Sequence, residues 1–475
     1  MTSPRTITID PVTRIEGHAK ITILLNEAGE VADALFHVTQ FRGFEKLIEG
    51  RPLHEMPSLM ARICGICPVS HLMAGAKACD ELLSVTIPPT AVALRRIMNL
   101  GQLVQSHALS FFHLSSPDLM LGMDADPADR NLFGLMRSHP EFARDGIQLR
   151  RFGQQVIERL GGRRIHPAWC VPGGVTAALT AEHRADILRE IPAARDQVHR
   201  ALTWFKSILD RFPAEIETFA NFPTQYLATV ASDGSLEHYD GPLRLCDEHG
   251  ETRWQLDQPR DYETIIAEHV EPWTFLKFPY DRTRGYPAGI YRVGPLARLV
   301  CAERCGTLAA DEQLAEFRDR VGRVPQSSFH YHWARLVEIL YGLERIEQLL
   351  QDPDILCDHV RAHADVNQQE AVGISEAPRG TLIHHYRVDR NGLMTWANLI
   401  IATGHNNLAM SRGIKQVAER FVRSERLTEG MLNRVEAVIR AFDPCLSCST
   451  HAWGQMQLRI ELLNPAGAIV DQLER

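Results

Sequence analysis

Two short cysteine pairs carry the chemistry for which this chain is equipped. Cys64 and Cys67 stand in ARICGICPVSH, Cys445 and Cys448 in FDPCLSCSTH, and each pair is followed within four residues by a histidine, His71 or His451. Thiolates are soft ligands, so four of them together suit nickel, iron or zinc better than hard ions. Gly65 lets the backbone approach closely, and Pro68 is a natural first residue for a helix whose amide end would stabilise thiolates. Near-helical spacing places Cys64, Cys67 and His71 on one face. Structural zinc is the commonest use of two such pairs, but zinc ribbons separate theirs by roughly 15 to 20 residues. Here the separation is 445 minus 64, or 381 residues. A thioredoxin-like redox pair fits less well, because neither pair follows a βαβ strand and there are two of them. The other six cysteines, Cys79, Cys170, Cys246, Cys301, Cys305 and Cys357, are expected to be small buried core residues.

The two pairs can meet only if the fold brings the ends of the chain together, and the elements available for this are mainly helical. TITI, HAKITILL and VADALFHV alternate as strands over residues 1–50. From Pro52 onward apolar residues recur at three- and four-residue steps, which predicts long helices packed as a bundle over 51–225 and 300–450. Asp233-Gly234, Asp240-Gly241 and His249-Gly250 punctuate a β excursion at 226–256, expected to be peripheral decoration, and Asn391-Gly392 marks a hairpin. Two more helices are expected at about His405 to Arg423 and Thr428 to Ala441. No low-complexity linker divides the chain. The expected fold class is therefore α+β, mainly α, a single unit over 1–475 with a long-helix bundle core and small peripheral β-sheets.

Composition narrows the function classes. Of 475 residues, 51 Lys plus Arg face 59 Asp plus Glu, a net charge of -8 that argues against a nucleic-acid partner. No run of 18 apolar residues marks an integral membrane segment, and the first residues lack a secretory signal. With few cysteines for the length, a reducing, cytoplasmic location is expected.

RxCGxCxxxH near the front and DPCxxCxxH near the end, in that order, resemble the signature pair of nickel-iron hydrogenase large subunits, and the resemblance extends over essentially the whole chain. DPVTRIEGH (Asp10 to His18), FRGFE (Phe41 to Glu45), PGG (Pro172 to Gly174) and EAPRG (Glu376 to Gly380) belong to the same pattern. The wording of FRGFEKLIEGRP, RICGICPVSH and DPCLSC is most similar to the soluble bidirectional, NAD-reducing subgroup. The distantly similar quinone-module subunit of respiratory complex I lacks the four cysteines. The resemblance implies that the thiolates bind nickel, with Cys67 and Cys448 also bridging to an iron that carries carbon monoxide and cyanide ligands, and with Cys64 and Cys445 terminal on nickel. Reversible heterolytic cleavage of H2 is the implied reaction, with Cys445 the first proton acceptor and Glu16 the relay. Without its motif, Glu16 would read as a surface carboxylate paired with Arg14 or Lys20. Arg379 matches the arginine held over the metals. A buried arginine needs carboxylates, and Asp118 and Asp443 occupy the matching places. Thr403 corresponds to a residue that hydrogen-bonds cyanide, His71 to a hydrogen-bonding neighbour of the centre or a satisfied core histidine. Glu45, the carbonyl of Leu399 and His451 correspond to the ligands of a magnesium-like ion.

The chain has no further cysteine cluster for iron-sulfur centres, no G-x-G-x-x-G after a strand and no flavin motif, so electrons must leave through partners. The resemblance supplies a small subunit with iron-sulfur clusters and, for this subgroup, diaphorase subunits that carry flavin and NAD. It also implies a maturation endopeptidase that removes the extension 452–475 by cutting after His451; read alone, that extension is a surface hairpin. The alternatives are another soluble hydrogenase subgroup, delivering electrons to NADP, ferredoxin or a heterodisulfide reductase, and a zinc-stapled scaffold without redox activity.

Overall fold

The computed structural model describes residues 6–423, 426–450, 459–463 and 469–474. The amino-terminal alternation forms an antiparallel sheet of β1 (Thr6–Ile9), β2 (Ala19–Leu25) and β3 (Val31–Val38), in that order. Along β2 the odd positions Ala19, Ile21, Ile23 and Leu25 are buried, as a period of two dictates for a strand with one covered face.

Helix α1 (Pro68–Leu82) buries every residue except Lys77 and Glu81. A helix apolar nearly all round belongs in the middle of a structure, and α1 lies there. Beside it runs α2 (Pro89–Ala108), which joins α3 (Pro140–Gly161), α4 (Ala181–Ile208) and α5 (Tyr331–Gln351). These four close a bundle in which α2 touches α3 and α5, and α4 touches the same two. Proline opens α1, α2 and α3, at the one turn of a helix where a missing N–H costs no hydrogen bond. Thr180 caps α4 by accepting from the amide of His183 at 3.1 Å. The carboxyl-terminal helices are α6 (Asn407–Phe421) and α7 (Glu429–Phe442). Among the described residues no helix is long and apolar enough to cross a membrane.

The β excursion departs from the expectation of decoration. A four-stranded sheet of order β7-β4-β5-β6 contains β4 (Gln225–Thr229), β5 (Leu243–Cys246), β6 (Thr252–Leu256) and β7 (Tyr291–Arg292). Only β6 is a solvated edge; all five residues of β4 are buried. An uninterrupted apolar run such as Tyr226-Leu227-Ala228 marks a strand covered on both faces, and that signal outweighs the turn residues beside it.

A third sheet joins β8 (Glu370–Ala377), β9 (Gly380–Val388) and β10 (Met394–Ile400) in antiparallel order, with α1 packed against β8 and β9. Asn391-Gly392 does turn β9 into β10: Asp389 accepts from the amides of Asn391 and Leu393, and Gly392 donates to the Asp389 carbonyl at 3.0 Å. Strand β8 carries no alternation to announce it, being buried from Ala371 to Ala377. Beyond the core, Arg459–Leu463 pairs antiparallel with Ile469–Glu474. One cysteine expectation is corrected: Cys357 is exposed, because it follows a short surface turn (Pro353–Leu356), while the other five non-motif cysteines are buried.

Candidate metal centre

The two cysteine pairs, 381 residues apart, converge. One ligand atom from each of Cys64, Cys67, Cys445 and Cys448 lies within 4.8 Å of all the others, and all four residues are buried. Sγ of Cys64 is 3.4 Å from Sγ of Cys445, Cys67 is 3.4 Å from Cys448, and Cys445 is 2.6 Å from Cys448. Four sulfurs this close with no carboxylate or imidazole among them form a soft donor set that fits nickel and iron.

Each pair is shaped by the start of a helix. Cys64 is extended, and the amides of Ile66 and Cys67 donate to its sulfur at 3.2 and 3.3 Å before Pro68 opens α1. At the other end α7 stops at Asp443, which adopts the left-handed conformation with φ 55°. The chain then turns into Cys445, whose amide donates to the hydroxyl of Thr403 at 2.8 Å, and into a short helix at Leu446–Ser449. Hydrogen bonds from the Cys445, Cys448 and Cys67 thiols hold Cys64 well below the usual thiol range, whereas burial pushes Cys445 and Cys448 well above it. Four negative charges cannot share such a space without a cation, which is the electrostatic reason for a metal here.

Glu16 reaches this centre from the other end of the chain. Its carbonyl accepts from the amide of Leu446 at 3.1 Å, and its carboxylate accepts from the amide of Ser447 at 3.1 Å and from the Ser447 hydroxyl. Gly17 permits the approach, with φ 91° and an added Cβ only 2.7 Å from Cβ of Leu446. Arg14 and Lys20 are not its partners. Arg14 donates to the Leu114 carbonyl at 2.7 Å and pairs with Asp118.

That pairing corrects the expectation for Asp118. It does not neutralise Arg379; it lies between Arg14 and Arg440, the latter at 2.9 Å, and although burial opposes its charge the two arginines hold it below the usual carboxylate range. Arg440 also donates to the carbonyl of Thr13 at 3.1 Å. Asp118 thus clamps the segment between β1 and β2 that presents Glu16. The three-residue motif SSPD could not distinguish between two buried arginines as partners.

Among the described residues, Arg379 is ion-paired with Asp443 alone. Its Nε donates to the Asp443 carbonyl at 2.6 Å, Nη2 to the Asp443 carboxylate at 3.0 Å, and Nη1 to the Ser106 hydroxyl at 3.2 Å. Burial works against its charge, but Asp443 and the thiols of Cys445, Cys67 and Cys64 hold the guanidinium well above its usual range. Arg379 occupies the tight turn between β8 and β9, completed by Gly380 at φ 133°, where a Cβ would lie 2.3 Å from Val293. The turn is anchored by a buried ion cluster: Arg298 pairs with Glu338 at 2.6 Å and Glu376 at 2.8 Å, and donates to the carbonyls of Ala377 and Pro378. Glu376 also accepts from the amide of Thr229 in β4, so the β excursion supports the arginine's turn. Sequence reasoning missed the roles of Ser447, Glu376, Ser106, Arg298 and Glu338. Ser447 and Glu376 lie inside motifs and could have been found; Ser106, Arg298 and Glu338 sit in helices whose buried polar residues give no periodic signal.

His71, one turn into α1, does not hydrogen-bond a thiol; its Nδ1 is 3.2 Å from Nε2 of His384. Glu45 and Leu399 meet at a separate place, where the Leu399 amide donates to the Glu45 carboxylate at 2.8 Å. Burial raises Glu45 to about 7, with Lys277 at 3.7 Å opposing the rise. His451 lies outside the described residues; the carbonyl of Thr450 accepts from the amide of Arg42 at 3.0 Å, which brings the Phe41–Glu45 segment beside Thr450. The Glu45 carboxylate is an oxygen donor of the kind a hard cation takes, and it is met there by the Leu399 amide and by Lys277.

A family model described as nickel-dependent hydrogenase matches residues 42–134 and 227–451, and one described as HoxL-like matches residues 6–41. The chain is 39% identical to the beta subunit of the NAD-reducing hydrogenase HoxS of Cupriavidus necator, over 99% of this chain and 100% of that one. It is 40% identical to one of the subunits of the F420-non-reducing hydrogenase of Methanothermobacter thermautotrophicus, over 98% of this chain and 99% of that one. A solved NAD+-reducing [NiFe]-hydrogenase in the H2-reduced state superposes with a TM-score of 0.91 at 45% identity, over 94% of this chain and 99% of the other.

Proposed function

This chain belongs to the nickel-dependent hydrogenase family as a large subunit, and on that premise we propose that it cleaves H2 heterolytically and reversibly and passes the electrons through partner subunits to NAD. The observation that carries the proposal is the convergence of four buried thiols, flanked by a guanidinium fixed on Asp443 and a carboxylate fixed on the Ser447 amide. Family membership sets aside the zinc-stapled scaffold.

Cys64, Cys67, Cys445 and Cys448 would hold nickel, and Cys67 and Cys448 would also hold an iron with its carbon monoxide and cyanide ligands. When bound, that centre supplies the paired metals at which H2 is polarised and divided. Arg379, locked by Asp443 and Ser106, is a fixed cation whose charge is met by the Asp443 carboxylate and the thiols. The hydroxyl of Thr403 accepts from the Cys445 amide, so its own proton is available to an acceptor such as cyanide. The proton goes first to the thiolate of Cys445 and then to Glu16, whose backbone pairs with Cys445 and whose half-exposed side chain opens the way out. Glu45, Leu399 and His451 would hold magnesium at the base of the carboxyl-terminal segment. A small subunit with iron-sulfur clusters, together with a flavin-carrying diaphorase pair, completes the electron path, in the cytoplasm.

A different acceptor is the second reading, since the relative from the F420-non-reducing enzyme is as similar as the NAD-reducing one. Purified complex should contain one nickel per large subunit and iron in excess of it, because the clusters of the small subunit add their own, show infrared bands of metal-bound carbon monoxide and cyanide, and reduce NAD under H2. Zinc alone would overturn the metal assignment; dye reduction under H2 without NAD reduction would favour the second reading.

A further inference from the structure

Three consecutive side chains lock the segment that carries Thr403, and no step above uses them. Thr403 lies on the one-turn helix Ala402–His405, and its hydroxyl accepts from the Cys445 amide at 2.8 Å. Just beyond it, Nδ1 of His405 lies 2.5 Å from the hydroxyl of Tyr291 in β7. The side-chain oxygen of Asn406 accepts from the amide of Val293 at 2.9 Å, and its nitrogen is turned to the Val293 carbonyl at 3.5 Å. Asn407 donates to the carbonyls of Leu276 and Lys277 at 3.3 and 3.2 Å. All three side chains are buried, as are Thr403, Tyr291 and Val293. The orientation of the Asn406 amide follows from its partner, because a backbone N–H can only donate and a backbone carbonyl can only accept.

The middle attachment leads on to Arg379. Val293 and Gly294 press against the turn Arg379–Gly380: a Cβ added to Gly380 would lie 2.3 Å from the Val293 side chain and 2.7 Å from the Gly294 nitrogen, and one added to Gly294 would lie 2.7 Å from the Arg379 carbonyl. With no room for a methyl group between them, a shift of one backbone is passed to the other. Gly294 then opens the short helix Pro295–Cys301, whose Arg298 donates to the carbonyls of Ala377 and Pro378, the two residues before Arg379. Val293 is thus tied to the arginine's turn twice, by direct contact and through Arg298. Asn406 is the hydrogen-bonded link between that unit and the Thr403 segment, and an apolar residue in its place would take the acceptor from a buried amide.

We propose that Asn406 is a positioning residue that couples two polar groups flanking the four cysteines: through Val293 it keeps Thr403 on Cys445 and Arg379 on Asp443 in one fixed arrangement. The inference rests on the hydrogenase reading for what Thr403 and Arg379 do, and it extends that reading by a residue whose side-chain hydrogen bonds, among the described residues, go to Val293. Thr403 and Arg379 reach the cysteines from different elements, so each could drift without the other if nothing joined them. A shared brace removes that freedom, and a misplacement of about 1 Å is enough to cost about 10²-fold in rate.

The test pairs crystal structures of the full chain with infrared spectra of the loaded complex. In Asn406→Leu, similar in size but without polar atoms, the Thr403–Cys445 contact should lengthen from 2.8 Å and the bond from Arg379 to the Asp443 carbonyl from 2.6 Å, both in the same crystal. Asn406→Ser, too short to reach Val293 and mild enough to fold where the leucine variant does not, should give the same pair of shifts. Tyr291→Phe releases His405 but leaves Asn406 on Val293, so Arg379 should stay in place. In the loaded complex both Asn406 variants should shift the cyanide stretching bands and lower H2 turnover by about 10²-fold at unchanged nickel content, a combination that lost stability alone does not produce. Displacement of only one of the two groups in the Asn406 variants, or of neither, overturns the coupling, and displacement of Arg379 in Tyr291→Phe overturns Asn406 as its route. Displaced side chains with wild-type cyanide bands overturn the link to the metals. Absence of nickel from the wild-type complex defeats the hydrogenase reading instead, a result on which the distances in crystals of the chain do not depend.

Discussion

At the scale of single residues, the centre is built from side chains whose freedom has been removed. Arg379 commits three hydrogen bonds to Asp443 and Ser106. Replacement by lysine keeps the charge but exchanges a planar fork for a flexible point charge that cannot make the same three bonds. Arg379→Lys should lower H2 turnover by about 10²-fold, the loss typical of a misplaced electrostatic group, while elemental analysis finds nickel retained; unchanged turnover would reduce the arginine to a structural role. Glu16 differs in that its chemistry lies in titration. Glu16→Gln preserves the shape and can still meet Ser447, so the centre should assemble, but H2/D2O exchange should slow by about 10²- to 10⁴-fold. Exchange at the wild-type rate would move the start of the proton path elsewhere.

At the scale of elements, the active residues sit on turns and helix starts pinned by groups that never touch the metals. Asp118 and Arg440 hold Thr13 and Arg14, and thereby present Glu16 to the segment that carries Cys445. Gly17 is the tightest point of that contact. Gly17→Ala forces a left-handed residue, at about 1–2 kcal/mol, and drives a methyl group to within 2.7 Å of Leu446. The two segments should separate, so exchange should fall in the same direction as in Glu16→Gln although the carboxylate remains. A crystal structure of the variant checks the distance between Glu16 and the Ser447 amide, which should exceed its present 3.1 Å.

At the scale of the whole molecule, burial of neutral imidazoles makes stability depend on pH. Burial pushes His330 down to about 4 and His405 down to about 3. In the unfolded chain both take up protons near pH 6.5, so their contribution is complete above that pH and is lost as pH falls towards the folded values. For His330 the loss amounts to about 3 kcal/mol by pH 4. Denaturant unfolding of His330→Gln should show a pH dependence weaker by about one proton over this range; an unchanged slope would remove His330 from the account. The carboxyl-terminal extension belongs to this scale too. The family match ends at residue 451, and a tail held straight after Cys448 would keep the closing segment out of the core until metal is inserted. Intact mass of active, nickel-loaded complex should reveal a large subunit ending at His451, and full activity from a chain still ending at Arg475 would leave the tail as a hairpin only.

Local rules settled what could be read along the chain. Spacing alone identified the two cysteine pairs, Pro68 as the opening of α1, the Asn391-Gly392 turn and the alternating strands at the amino terminus, because each depends on residues a few positions apart. Tertiary structure alone decided that Asp118 belongs to Arg14 and Arg440, that Asp443 is left to balance Arg379, that β4 is core, and that Cys357 faces solvent. The two carboxylate choices are competitions between groups 64 to 322 residues apart, and a sequence carries no term for which of several buried cations a carboxylate will meet. That choice is made by desolvation, which exists only once the chain has closed around the pair.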